Sequence, residues 1–253
     1  MIFTDLHTHT NYCDGKSSPE EMVVSAIEKG LKKIGVLVHG YAEHEKDCCV
    51  PFERETDFIN EVNCLKEKYK DKIEVLLGVE KDIYSTALNT DRYDYVIGSM
   101  HYFKRGDKYY SIDHSKEIHF KTMSELFSGD YYLAAEEYFK ELENVVIKTN
   151  ADIIGHFDLI SKFNKDNSLF NPNDERYVNA WQSSAKKLIS YGKPFEINTG
   201  GISRGYKTQP YPSYEMIKFI KENGGKVLLS SDAHSKENVA FEFKKHYEII
   251  KNL

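Results

Sequence analysis

The chain has 253 residues, 40% of them apolar and 29% charged, which excludes a disordered or collagen-like protein. A formal charge of −6 argues against an extended nucleic-acid footprint or an anionic membrane surface as partner. No apolar run approaches the roughly 18 residues of a membrane span, and the stretch Met1–His9 turns polar by its fifth residue, so no signal peptide is expected. Cys13, Cys48, Cys49 and Cys64 form no CxxC pair and are expected to be free thiols in a reducing, cytoplasmic compartment.

Short runs rich in Ile, Val and Leu predict strands over Ile2–Leu6, Lys33–Val38, Ile73–Val79, Tyr93–Ser99, Asp152–Gly155, Pro194–Ile197 and Lys226–Leu229. They are nearly continuously apolar, as strands buried on both faces of a parallel sheet are. Between them the pattern predicts helices. Ser18-Pro19-Glu20-Glu21 supplies an N-cap, a first-turn proline and a capping glutamate for a helix that stops at Gly30. Further helices are expected over Pro51–Tyr69, Asp130–Thr149, Asn173–Tyr191, Tyr211–Asn223 and Asn238–Ile250. Seven strands alternating with helices imply α/β architecture and a parallel sheet. That number suits a closed or nearly closed barrel better than an open doubly wound sheet. With no linker or repeat, residues 1–253 are expected to form one domain.

Of ten histidines, six fall at a strand end or in the loop that leaves it. His7 and His9 close the first strand, with Asp14 five residues on; His39 ends the second, Glu80 the third, His101 the fourth and His156 the fifth. Asp232 and His234 follow the last. In a parallel barrel these ends open onto one face, where active sites are built. Residues spaced i, i+2 on a strand point the same way, so His7 and His9 can hold one ion. One ion seldom takes more than six ligands, so nine imply two or three divalent ions. Imidazole with carboxylate suits Zn, Mn or Fe. Glu80 has two oxygens to share and is the natural bridge. His44, His114, His119 and His246 are expected to be solvated surface residues.

Arg204, one of only five arginines, lies in the loop after the sixth strand and opens on the same face, where its guanidinium matches phosphate oxygens. Lys162, six residues beyond His156, makes a weaker case of the same kind. Tyr211 and Tyr206 flank the Arg204 loop and are candidates to line a pocket. No GKS/T or GxGxxG spacing is present, which argues against nucleotide triphosphate chemistry.

From Asp5-Leu6-His7-Thr8-His9 to Ser231-Asp232-Ala233-His234 the chain resembles the polymerase-and-histidinol-phosphatase (PHP) superfamily of metal-dependent phosphoesterases. Gly98-Ser99-Met100-His101-Tyr102, Gly155-His156-Phe157-Asp158-Leu159, Glu196-Ile197-Asn198-Thr199 and Tyr211-Pro212 are similar to its histidinol-phosphate phosphatase branch. The resemblance implies a distorted TIM-like (β/α)7 barrel and a trinuclear centre. One ion would be held by His7, His9, Glu80 and Asp232; a second by Glu80, His101 and His156; a third by Asp14, His39 and His234. Arg204 and Lys162 match phosphate-contacting positions, although an arginine often stands in place of Lys162. Similar proteins place Thr and an acidic residue before the second-strand histidine. Here Leu37-Val38 precedes His39, so a carboxylate that would orient this imidazole is expected to be missing.

The expected reaction is hydrolysis of L-histidinol phosphate to histidinol and phosphate. Arg204 would neutralise the phosphate, and His234 or Asp232, acting through water, would serve as acid for the leaving alkoxide. Within enzymes the alternatives are a phosphatase of phosphotyrosine or another small phosphoester, or a short-oligonucleotide exonuclease. A regulatory or structural metal domain is the non-enzymatic alternative, but structural zinc sites favour closed thiolate sets. Oligomeric state is not legible.

Overall fold

In chain order the computed structural model contains β1 (Thr4–His9), α1 (Pro19–Glu28), β2 (Lys33–His39), α2 (Phe52–Tyr69), β3 (Glu74–Asp82), β4 (Tyr95–Ser99), β5 (Tyr102–Arg105) and β6 (Lys108–Ser111). There follow α3 (Lys116–Phe127), α4 (Tyr131–Leu142), α5 (Val145–Thr149), β7 (Ile153–Ile154), α6 (Glu175–Ile189), β8 (Phe195–Asn198), α7 (Gly200–Ser203), α8 (Tyr214–Glu222), β9 (Val227–Ser230) and α9 (Phe243–Ile250). The structure describes residues 3–85 and 89–253, so Ile2 of the first predicted strand lies outside the described residues. None of the described helices is long and apolar enough to cross a membrane.

Seven strands make one parallel sheet in the order β1-β2-β3-β4-β7-β8-β9. A bridge between Thr8 and Ala233 joins its two edges. There the His9 N–H donates to Ala233 O at 2.8 Å and the Ala233 N–H to His7 O at 3.2 Å, so the barrel is nearly closed. The expected distorted seven-stranded barrel is what forms.

Strand alternation sorts the side chains. On β2, Ile34, Val36 and Val38 pack outward against Met22, Val23 and Ala26 of α1 and Phe58 and Val62 of α2. Leu37 points inward and meets Tyr95, Ile97 and Ile153 in the barrel interior. His39 shares the parity of Leu37 and therefore tops the interior. The same rule puts Val75, Leu77 and Val79 of β3 outside and Glu80 inside. The opposite flank is covered by α3, α4, α6 and α8, whose Tyr138, Phe139, Tyr177 and Trp181 pack on Phe157 and Phe195.

β1 breaks this rule at one point. Asp5 pairs with Ile34 but Thr8 with Val36, so three residues of β1 span two of β2. Such a bulge re-aims side chains. Asp5 and Thr8 both take the outward parity, and His7 and His9 both turn inward. Beside the bulge, the Tyr95 hydroxyl donates to Leu6 O at 2.6 Å across the barrel. Its ring fills the space over Gly35, where a Cβ would lie 1.9 Å from the hydroxyl oxygen.

Several expectations are corrected. The predicted helix over Asp130–Thr149 is two, α4 and α5, separated at Asn144. The predicted starts at Tyr211 and Asn238 move to Tyr214 and Phe243, because Tyr211 pairs with Asn198 as an isolated bridge and Ala240 and Glu242 adopt positive φ. The β5–β6 hairpin and α3 were not anticipated. His119 and His246 are buried: His119 Nδ1 lies 2.7 Å from Ile112 O, and the Tyr214 hydroxyl lies 2.7 Å from His246 Nδ1.

Replacing Tyr95 by Phe keeps the ring and removes the donor to Leu6 O. A buried carbonyl left unpaired costs about 1–3 kcal/mol. Urea denaturation of Tyr95→Phe is expected to show that loss, and an unchanged midpoint would mean that the bulge does not need this bond.

Candidate metal centre

All nine residues singled out as ligands converge at the carboxyl ends of the strands. Their side-chain nitrogens and oxygens form three groups, His7–His9–Asp232, Glu80–His101–His156 and His9–Asp14–His39–His234, each with its atoms within 4.8 Å of one another. In the first, His7 Nε2 and His9 Nε2 are 3.0 Å apart, and Asp232 Oδ1 lies 3.6 and 3.5 Å from them. Glu80 Oε2 is 3.2 Å from His7 Nε2 and 3.3 Å from His9 Nε2. Its other oxygen, Oε1, is 2.9 Å from His156 Nε2 and 3.5 Å from His101 Nε2. In the third group Asp14 faces His9, His39 and His234 at 3.6, 3.7 and 3.0 Å.

A second layer of side chains orients the first. Glu196, fully buried on β8, approaches His7 Nδ1 at 2.5 Å, a contact that would keep a proton on Nδ1 and turn Nε2 toward an ion. Its other oxygen accepts from the His156 N–H at 2.7 Å and from Asn198 Nδ2 at 3.0 Å. The Ser99 hydroxyl donates to Glu80 Oε1 at 2.6 Å. Asp82 accepts from the His101 N–H at 2.6 Å and lies 3.3 Å from its Nδ1. Asp5 accepts from the Ser231 N–H at 3.0 Å and from its hydroxyl at 2.5 Å, tying β1 to the turn that carries Asp232.

The electrostatics fit divalent cations. Burial, with His234 and His39 close by, drives His9 down to about 3, so its ring is neutral and offers one nitrogen lone pair. Against the penalty of burial, Glu196, Glu80 and Asp232 raise His7 well above its ordinary value; carboxylates do the same for His101, and Asp14 and Glu80 raise His39. A pocket that pulls protons onto buried imidazoles is short of positive charge, which metal ions supply. Among the described residues no carboxylate hydrogen-bonds to His39; Glu80 Oε2 stands 3.3 Å from its Nδ1, but Glu80 is itself one of the candidate ligands.

The cleft above these groups has a volume of about 300 Å³ and is lined also by Glu45, Cys48, Tyr102, Asp113, Lys162 and Arg204. Arg204 Nη2 donates to Asp232 Oδ2 at 2.8 Å, and its Nη1 lies 3.0 Å from His234 Nδ1. Gly200 must be glycine for this contact, since a Cβ there would sit 2.8 Å from Asp232 Oδ2 and 2.9 Å from Arg204 Nη2. Lys162 Nζ donates to Asp113 O at 2.7 Å and to its carboxylate at 3.0 Å. Burial pushes the Cys48 thiol up to about 11, which disarms it as a nucleophile.

Tyr211 is corrected as a pocket residue. It is 1% exposed, and its ring packs beneath Gly201 at the α7 turn, whereas Tyr206 reaches the cleft. Against the penalty of its burial, Arg204 and the surrounding histidines hold the Asp232 carboxyl well below the usual carboxylate range. Glu196, Asp82 and Ser99 were not assigned roles from sequence. A charged residue buried between two apolar ones, as Glu196 is between Phe195 and Ile197, was the available signal.

The PHP domain family model matches residues 5–200, and the chain belongs to this family. A Schizosaccharomyces pombe protein named "Probable histidinol-phosphatase" is 27% identical over 264 residues, covering 94% of this chain and 82% of the relative. A crystal structure from Listeria monocytogenes superposes with a TM-score of 0.84 at 18% identity, covering 96% of this chain and 99% of that one. The histidinol phosphate phosphatase of Lactococcus lactis, solved with zinc, L-histidinol and phosphate, superposes with a TM-score of 0.71 at 21% identity, covering 99% and 93%. At these identities the two structures establish the shared fold.

Glu196→Gln keeps the shape of the side chain but removes the charge that fixes His7. Metal affinity, read by competition with a chromogenic chelator, is expected to fall about 10–100-fold. A change below twofold would reduce Glu196 to a packing role.

Proposed function

We propose that the chain is a metal-dependent phosphomonoesterase that hydrolyses L-histidinol phosphate to L-histidinol and inorganic phosphate. The observation that carries the reading is the convergence of the nine ligand side chains with Arg204 and Lys162 on one cleft. The names of relatives matched over most of their length direct it to histidinol phosphate. We take residues 1–253 as one catalytic domain, acting in the cytoplasm as the four free cysteines suggest.

His7, His9, Glu80 and Asp232 would hold one ion, Glu80 with His101 and His156 a second, and Asp14, His39 and His234 a third, with Zn, Mn or Fe the suitable metals. When bound, the ions supply Lewis acidity toward a phosphoryl group and toward water. Lys162 spends two of its three N–H donors on Asp113 and keeps one for a phosphoryl oxygen. Arg204, anchored by Asp232, presents its remaining donors from a fixed position, so little ordering is needed when charge develops. The acid for the leaving alkoxide would be a water held beside Asp232 or His234, the latter with an imidazole edge at the mouth of the cleft and Nε2 3.0 Å from Asp14.

Protein stripped by a chelator is expected to release no phosphate, and to regain activity with Zn or Mn. With metal restored, kcat/KM for L-histidinol phosphate should exceed that for phosphotyrosine and AMP a hundredfold or more, or about 2.7 kcal/mol of transition-state discrimination. Equal, slow turnover of all three would retain the metal chemistry and overturn the substrate. Arg204→Ala should lower kcat/KM by about 100–1,000-fold, the range seen when one preorganised donor to developing charge is removed; a loss below tenfold would place the phosphate elsewhere.

A further inference from the structure

The carboxylates of the cleft sort by partner. Asp14, Glu80 and Asp232 stand among the candidate metal ligands, and Asp113 is paired with Lys162. Glu45 is left. Among the described residues no lysine, arginine or histidine nitrogen is within 4.0 Å of it. Among the same residues its side chain accepts one hydrogen bond, from the Tyr102 hydroxyl to Oε1 at 3.1 Å, and no donor reaches Oε2.

The position of Glu45 is held firmly. It ends the short turn Glu43–Glu45 in the loop leaving β2. Next to it, the His44 ring stacks on Tyr109 of β6 at 3.8 Å with an interplanar angle of 3°, and meets Tyr102 of β5 edge-on at 4.7 Å. The loop is thereby pinned to the hairpin. β2 and β8 are separated by three strands on one side of the barrel and two on the other, so Glu45 and Arg204 enter the cleft from opposite walls.

A phosphate drawn to Arg204 and Lys162 leaves its alcohol portion toward the other wall. We propose that Glu45 receives a cationic amine or imidazolium on that alcohol, making the cleft selective for phosphomonoesters of cationic alcohols. The proposal rests on the phosphomonoesterase reading and adds the residue that reads the leaving group. Charge-assisted bonds to a carboxylate are the strong ones, and a neutral alcohol would leave this carboxylate desolvated and unpaired. Arg204 and Lys162 repel a second cation, which further directs the amine to the Glu45 wall.

The test compares L-histidinol phosphate with glycerol phosphate on metal-loaded wild type, Glu45→Gln and Glu45→Asp, alongside metal content and calorimetric binding of L-histidinol. Glu45→Gln is expected to cut the ratio of the two kcat/KM values at least tenfold, mainly by raising KM for histidinol phosphate. Histidinol binding should weaken by a similar factor at full metal content, and Glu45→Asp should recover part of both. A ratio kept within threefold in Glu45→Gln overturns the proposal. Loss of bound metal in that variant does so too, because Glu45 would then act through the ions. A wild type that does not prefer histidinol phosphate overturns both this proposal and the substrate reading beneath it.

Discussion

Glu80 is 1% exposed, and its two oxygens face different histidine pairs, His7 and His9 on one side and His101 and His156 on the other. A buried carboxylate shared in this way sets the tolerance for the rest of the barrel. β1, β3 and the chain leaving β4 and β7 must keep their register to a fraction of an ångström, or one of its oxygens loses its partners. Burying such a group costs several kcal/mol unless opposite charge meets it. The surrounding histidines supply that charge, and the layer behind them holds them in place: Ser99 on one oxygen, Glu196 behind His7, Asp82 behind His101. Metal ions of the kind proposed would replace protons as the compensating charge, without any change in the scaffold.

The same logic governs Arg204. A guanidinium next to a cluster of cations would be repelled if it stood alone, but here it is paired with Asp232 Oδ2 while Asp232 Oδ1 faces His7 and His9. One carboxylate thus belongs to two systems, the candidate metal ligands and the cation proposed to bind phosphate, and fixes the distance between them. Asp5 holds the backbone beneath it through Ser231, so the placement reaches back to the first strand.

Much of this was legible in the sequence because parallel barrels put every strand's carboxyl end on one face. The positions of His39, Glu80 and His101 follow from apolar runs that stop there. The bulge in β1 was not legible. His7 and His9 share a face by simple alternation, but the face itself depends on the extra residue between Asp5 and Thr8, which only pairing with β2 reveals. The supporting layer was hidden for a related reason. Glu196 acts on His7 across 189 positions of sequence, and no local period encodes such a contact. His119 and His246 look like polar helix residues in a linear reading, but Ile112 O and the Tyr214 hydroxyl satisfy them in the interior. Tyr211 misled in the opposite direction: its proximity in sequence to Arg204 suggested the cleft, while the Asn198 bridge draws it under the α7 turn.

The barrel also divides its labour around the rim. The loops leaving β7 and β8 carry Lys162 and Arg204, and each cation is tethered to a carboxylate of the same cleft. The hairpin β5–β6 and the loop leaving β2 carry no cation into the cleft; they bring Glu45, Tyr102 and Asp113. These are the elements that departed most from a regular alternation of strand and helix. The metal ligands, by contrast, sit at or just beyond regular strand ends. On the proposed reading, chemistry common to phosphoesters would rest on the repeating part of the fold, and discrimination between alcohols would fall to its irregular insertions, which lie outside the strand registers that place Glu80.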